Sequence, residues 1–328
     1  MSNKSVFIIW LGIVFFTLAL LPLALLTGPA ELTIGDIWEC LLSGGQENDA
    51  LIVWHIRLPR IVLAWLVGAG LALAGVVFQG LLTNPLAGPY TLGISSGAAF
   101  GASIAILLSL TAWTLPFLAL TGAAVTLALV LLLSGNRDEL ESRNLILAGI
   151  VVGSIFSAAI SLIKTISGDS LSSIVFWIMG SLAGRGWEEV NLVLPYFVVG
   201  VSGLLIMARD LDLLSLGAEH ANSAGVEVKH SRRLLIFFAS MLAAAVVAVS
   251  GVIGFVGLIV PHALRMLIGP AHRRLSVLAV FTGGLLLLAA DTLARVLSYA
   301  GEIPVGVITA LFGGPFFCYL LVRSRSRC

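Results

Sequence analysis

A chain of 328 residues that is 59% apolar and 11% charged, with a formal net charge of +1 and a mean hydropathy of +1.08, does not read as a soluble protein. Soluble domains carry about 25% charged residues, and a near-neutral balance leaves no basic footprint for nucleic acid. Three cysteines (Cys40, Cys318, Cys328) without CxxC spacing give neither a disulfide framework nor a zinc site.

At the N-terminus one lysine precedes a 22-residue apolar stretch, Val6 to Thr27. It is too long for a signal-peptide core, and TGPAELT offers no small-x-small cleavage site, so it is expected to stay as the first span. Apolar segments follow at 61–82, 91–110, 113–134, 145–164, 191–208, 234–253, 254–269, 275–298 and 303–322. Each approaches the roughly 20 residues that about 30 Å of hydrocarbon requires. The expectation is an all-α polytopic membrane protein with ten transmembrane helices. An eleventh run, LSSIVFWIMGSLA (171–183), has 13 residues and reads as an interfacial or re-entrant helix.

Charge fixes the orientation. With ten spans and a cytoplasmic N-terminus, thirteen Lys and Arg fall inside and five (Arg57, Arg60, Lys164, Arg185, Arg295) outside. Counting 171–183 as a span would move ten of the thirteen outside. The positive-inside rule therefore predicts cytoplasmic N- and C-termini. It also takes GFVGLIVPHALRMLIG (254–269) from outside to inside, gathering His262, Arg265 and AHRRL (271–275) at the cytoplasmic face. There the charges snorkel into headgroups and Pro261 ends or kinks the last turns. Gly251, Gly254 and Gly257 read as small contacts for close helix approach.

A shift of 176 residues places Arg57-Leu58 on Arg233-Leu234, Gly75-Val76 on Gly251-Val252 and Pro85 on Pro261, with ten identities in the 31 positions from 57 to 87. The second and seventh spans start on opposite sides, so the copies have inverted topology, a transporter feature with a pathway at the repeat interface. Chance similarity among apolar helices is the competing reading. The division is one permease domain, 1–328, with repeat 1 at about 57–165 (spans 2–5), repeat 2 at about 233–322 (spans 7–10) and a cytoplasmic loop at about 208–233.

Several residues stand out against this apolar background. Arg57 and Arg60 (RLPR) stand at the outer end of the second span and Arg295 at the outer end of the ninth. They read either as headgroup anchors or as a cationic rim for acidic groups of an external partner, since Arg pairs carboxylates bidentately. Asp291 is the only carboxylate well inside a span; an i,i+4 structural ion pair with Arg295 accounts for it. In the 208–233 loop, Gly217 and Gly225 bracket a short polar helical stretch with Glu219 near its start. It is either a solvated connector or a helix presented to another protein, with Ala221, Ser223 and Ala224 small enough for close approach. TNPLAGP (83–89) is an uncharged turn with two prolines, a gate or a tight hairpin. No GxxxxGK[ST], HExxH or GxSxG motif occurs, so the chain is not read as an enzyme, and any ATPase would be another chain.

RLPR (57–60), GAGLALAGVVFQGLLTNPLAGPYTLGISSGA (68–98), LGAEHANSAGV (216–226), GFVGLIVPHALR (254–265), HRRL (272–275), LLAADTLAR (287–295) and EIPVGVITALFGGPFF (302–317) closely resemble the permease subunits of the vitamin B12, ferric-siderophore and haem importers, the type II ABC importers. The resemblance implies a homodimer or close heterodimer in a bacterial or archaeal cytoplasmic membrane. Two ATP-binding-cassette subunits would carry the ATP and Mg, with no cofactor on this chain, and a periplasmic or lipid-anchored binding protein would deliver a metal chelate. By the same resemblance, Arg57, Arg60 and Arg295 meet glutamates of the binding protein. The segment containing Gly217, Glu219, Ala221, Gly225 and Val226 is the helix that sits in the ATPase groove. Asn84, Leu86 and Ser142 narrow the cytoplasmic end of the pathway. ESRN (141–144) departs from the Ser/Thr-richer stretch of the B12 permeases. Ferric siderophore is the expected cargo, with haem or cobalamin as alternatives. An ion- or proton-coupled secondary carrier is the rival class, and one intramembrane acid argues against it; the inverted repeat argues against a purely structural subunit.

Overall fold

The computed structural model describes residues 3–28, 30, 32–43, 47–111, 113–135, 142–298 and 302–325. Arg137, Arg327, Glu141 and Cys328 lie outside the described residues. Every regular element among the described residues is helical: α1 Asn3–Leu26, α2 Ile34–Ser43, α3 Glu47–Leu51, α4 Leu58–Leu81, α5 Ile94–Leu107, α6 Thr114–Leu133, α7 Ser142–Ile166, α8 Leu171–Ile178, α9 Trp187–Ile206, α10 Ala208–Ser215, α11 Ala218–Ser223, α12 Val228–Ser250, α13 Val256–Ile268, α14 His272–Leu297 and α15 Val305–Arg325. Among the described residues, seven helices are long and apolar enough to cross a membrane, and α5, α13 and α15 are shorter apolar helices. Each of the ten expected segments coincides with one of these ten, and the protein is a multi-pass membrane protein.

At the centre lies α4, which is buried almost all round. It runs antiparallel to α14: Arg60 meets Asp291 at one end, Gly68 meets Gly283 midway, and Gly80 meets His272 at the other. Glycine makes this closeness possible. A Cβ at Gly68 would lie 2.2 Å from the Gly283 carbonyl, and one at Gly75 would lie 1.9 Å from that of Gly257 on α13. Backbones can approach this closely only where no side chain intervenes, the usual basis of helix pairing in lipid. Gly251 and Gly257 are close contacts of the expected kind, against the Trp177 and Leu71 carbonyls, but Gly254 has open space around it and plays no such part.

Pro261 lies inside α13, and the helix continues past it to Ile268. Its missing N–H leaves the Gly257 carbonyl without the usual helical donor. Gln79 of α4, itself buried, donates its side-chain amide to the carbonyls of Gly257 (3.5 Å) and Leu258 (3.1 Å). A buried polar side chain in the last turn of an apolar helix is thereby explained by a proline on its neighbour.

The 171–183 run forms the eight-residue α8, far too short to cross. Between α1 and α4, where the expected spans leave residues 28–60 unassigned, the chain forms α2, α3 and a π-helical stretch, Ile52–Arg57. The start of α2 carries a reciprocal cap: Thr33 donates its amide to Asp36 at 2.7 Å, and the Asp36 amide donates back to Thr33 Oγ1 at 3.3 Å. The two Thr33 hydrogen bonds hold the Asp36 carboxyl below its ordinary range. The signal was present as Thr-x-x-Asp before an apolar run.

Candidate functional site

Two chain breaks shape the interior. α4 ends at Leu81 and α5 begins at Ile94, with Thr83 at φ +47. α12 ends at Ser250 and α13 begins at Val256, with Gly251 at φ +69 and Phe255 at φ +66. At 13 residues α13 is only about 20 Å long, so in a ten-span arrangement the unwound 251–255 segment would enter the membrane region. Such backbone is tolerated there only when protein covers it or it lines a cavity. Both hold. Ser181 donates its amide to the Ser250 carbonyl at 2.8 Å, and Gly306 donates to Gly180 at 3.1 Å. On the open side a groove of about 670 Å³ is lined by Tyr90, Met179, Val252, Phe255, Leu258 and Val307, among others. The groove therefore takes residues from both breaks, from α8 and its C-terminal end, and from α15.

The expected gate residues sit beside it. Leu86 is 45% exposed and lines a smaller pocket that shares Tyr90, Phe255 and Leu258 with the groove. Asn84 holds the turn: its Oδ1 accepts the Leu86 amide at 2.9 Å and its carbonyl accepts the Ala87 amide at 3.0 Å. Ser142 donates to the Leu81 carbonyl at 3.3 Å, bringing the start of α7 to the root of the same turn. The three residues cluster, and the lining of the groove is mostly apolar.

The arginines do not form an open cationic rim. Arg57 and Arg60 are 3% and 7% exposed, and the Arg295 side chain 6%. Arg57 donates to the Leu25 and Ala30 carbonyls and, at 3.2 Å, to that of Leu26. Arg295 donates to the carbonyls of Ala24 (2.8 Å) and Thr27 (2.7 Å). Both therefore hold the C-terminal end of α1, where carbonyls lack helical partners and the dipole favours cations. The expected Asp291–Arg295 pair is present at 3.1 Å, but the larger share of Asp291 goes to Arg60, whose Nε and Nη2 reach the carboxylate at 3.0–3.2 Å across the α4–α14 interface. The remaining arm, Nη1, pairs at 2.9 Å with Glu302, which is 42% exposed. The burial of the three arginines has a physical cause: guanidinium groups at apolar helix ends find carbonyls and a buried acid closer than solvent.

The 208–233 segment holds α10, the expected short helix as α11, and the first residues of α12. α11 is bounded by Gly217 at φ +116 and Gly225 at φ +84. Gly225 donates to the Asn222 carbonyl (3.0 Å) and Val226 to that of Ala221 (2.9 Å), the paired bonds of a Schellman end. Ala221 is fully buried and Val226 packs against the same core, so Ala221 anchors the helix and is not available for approach by a partner. Glu219, His220, Asn222, Ser223 and Ala224 are the exposed side. Sequence reading passed over α10, whose Asp212 lies 2.7 Å from buried His272. A carboxylate-rich DLD beside an apolar helix was the only sign of it.

The chain is 44% identical to the cobalamin import system permease protein of Halobacterium salinarum over 87% of this chain and 77% of the relative. It is 38% identical to the Fe(3+) dicitrate transport system permease protein FecD of Escherichia coli, over 95% and 98% of the two chains. Among solved structures it matches an inward-facing conformation of a putative metal-chelate type ABC transporter, with a TM-score of 0.87 and 38% identity over 98% of this chain and all of the other. With residues 16–323 matching the FecCD transport family, this chain belongs to that family.

Proposed function

We propose that the protein is the membrane-spanning permease subunit of an ATP-binding-cassette importer that carries a metal chelate into the cytoplasm, with the ATPase on separate chains. The observation that carries this reading is the agreement of nearly the whole chain, at 38% identity, with a metal-chelate type ABC transporter. The groove between the two chain breaks would be its pathway, Asn84, Leu86 and Ser142 its cytoplasmic narrowing, and α11 the contact for the ATPase. Ten spans with cytoplasmic termini in a bacterial or archaeal cytoplasmic membrane, and a second permease copy, belong to the same proposal. The inverted repeat is supported by reciprocal packing: α4 lies on α14 as α12 lies on α6, and α4 on α13 as α12 on α5.

The external binding protein would approach the end that carries Arg60 and Glu302. Arg57 and Arg295 are engaged with α1, so an incoming carboxylate would meet Arg60 Nη1 by displacing Glu302. A ferric chelate is the cargo we favour, supported by the ferric dicitrate relative; the cobalamin relative keeps that corrinoid as the alternative. The test is reconstitution of the permease with an ATPase subunit and a binding protein in vesicles, supplied in turn with labelled ferric siderophore, ferric citrate, cobalamin and haem. Accumulation that requires ATP and the binding protein is the expected result. Uptake driven by a proton or sodium gradient without ATP would make the protein a secondary carrier instead.

A further inference from the structure

The short helix α10 carries two carboxylates that reach different neighbours. Asp210 accepts from the Ser231 hydroxyl of α12 at 2.7 Å. Asp212 Oδ1 accepts the backbone N–H of His272 at 2.8 Å and lies 2.7 Å from Nδ1 of the same residue. That backbone N–H is among the first-turn donors of α14, which have no partner within their own helix. A carboxylate from another element therefore caps α14 where the helix dipole favours negative charge. The His272 ring is buried at 3% exposure, and its far side lies against α4: a Cβ on Gly80 would stand 2.5 Å from Nε2 and 3.2 Å from Leu211 of α10. Three residues beyond Gly80, Thr83 adopts φ +47 and the turn holding Asn84 and Leu86 begins. On the other side, α10 passes into α11 through Leu216 and Gly217, the latter at φ +116.

We infer that the Asp212–His272 contact is the joint through which α10 and α11 position the adjoining ends of α14 and α4, and with α4 the turn at 82–93. Asp212 and His272 are thus positioning residues for coupling, an inference that rests on the ATP-driven reading above. Apolar surfaces slide past one another, whereas one carboxylate oxygen bonded to both the ring and the backbone of a residue fixes direction as well as distance. Gly80 supplies the second half: the imidazole has no clearance from α4, so the ring and the end of that helix move together.

The test uses the full complex in vesicles, comparing Asp212→Ala, Asp212→Asn, Asp212→Leu, His272→Ala and Gly80→Ala with the wild type, with labelled ferric siderophore, ferric citrate, cobalamin and haem as probes. The readout is cargo imported per ATP hydrolysed, alongside complex assembly and melting temperature. Asp212→Ala and His272→Ala are expected to keep ATP hydrolysis while cargo per ATP falls about fivefold or more, the range of a typical coupling free energy. Their double mutant should fall no further than either single one, because both remove one contact. Asp212→Asn, which keeps an acceptor oxygen, should retain most of the ratio, whereas Asp212→Leu, which keeps the volume and offers no acceptor, should not, a split that a merely packing role would not produce. An unchanged ratio in assembled Asp212→Ala or His272→Ala complexes overturns the inference. Should those fail to assemble, Gly80→Ala decides: a lowered ratio supports the joint and a wild-type ratio refutes it. Wild-type complexes that import nothing with ATP would instead refute the function proposed above.

Discussion

Asp291 is fully buried and faces two arginines, while Glu302 shares Arg60 with it from a half-open position. The two carboxylates therefore separate burial from pairing. Asp291→Ala leaves two buried cations short of their shared counter-ion and should cost about 3–5 kcal/mol, the range for breaking a buried pair. Glu302→Ala removes a solvent-screened partner and should cost at most about 1 kcal/mol. Thermal melting of the purified proteins in detergent compares them, and equal losses would mean that the α4–α14 charge network does not stabilise this fold. From the sequence, Asp291 and Arg295 were legible as neighbours because an i,i+4 spacing fixes their distance. Arg60 as a third member was not, since 231 residues separate it from Asp291 and only the antiparallel register of α4 and α14 joins them.

At the level of elements, the apolar segments were readable because length and composition alone decide whether a helix can cross a bilayer. The helices around them were not: α2, α3 and α10 are short, and their places depend on tertiary partners. Glycine contacts were half legible for the same reason, since spacing cannot tell a helix interface from an open junction. Gly75→Ala must push α4 from α13 against a backbone carbonyl and should cost about 1–3 kcal/mol. Gly254→Ala meets nothing within 4 Å and should leave the melting temperature unchanged. A stable Gly75→Ala protein would count against close α4–α13 packing. The end of α11 gives a parallel case. Gly225 has φ +84 with open space around it, so Gly225→Val is costly through backbone conformation, by roughly 1–2 kcal/mol, not through a clash within this chain. We expect Gly225→Val to insert normally and to lose ATP-driven uptake or ATPase subunits. Normal uptake by Gly225→Val, Glu219→Ala and their double mutant would leave α11 as a plain connector.

For the whole molecule, the antiparallel α4 and α14 put two sets of features at opposite ends. One end has Arg60, Asp291 and the carbonyls of the α1 terminus; the other has Gly80, His272, α10 and α11. The positive-inside rule predicts that the second end faces the cytoplasm, because Arg209 on α10, Lys229, Arg232 and Arg233 on α12, and Arg273 and Arg274 on α14 belong to it. That assignment is testable with single cysteines and a membrane-impermeant maleimide. The native cysteines, Cys40, Cys318 and Cys328, are first replaced by serine. Ser181 is half-buried and ties its amide to Ser250, so exposed Glu188 in the first turn of α9 is the better probe for the outer side. Exposed Ser223 on α11 is the probe for the inner side. α9 is the one apolar helix between them long enough to cross, so the two positions should label from opposite faces. We expect Glu188→Cys to react in intact cells and Ser223→Cys to react only after the membrane is opened. Labelling of Ser223→Cys from outside would invert the molecule and place α11 where no ATPase could reach it. Labelling of both positions from the same face would remove α9 from the set of spans.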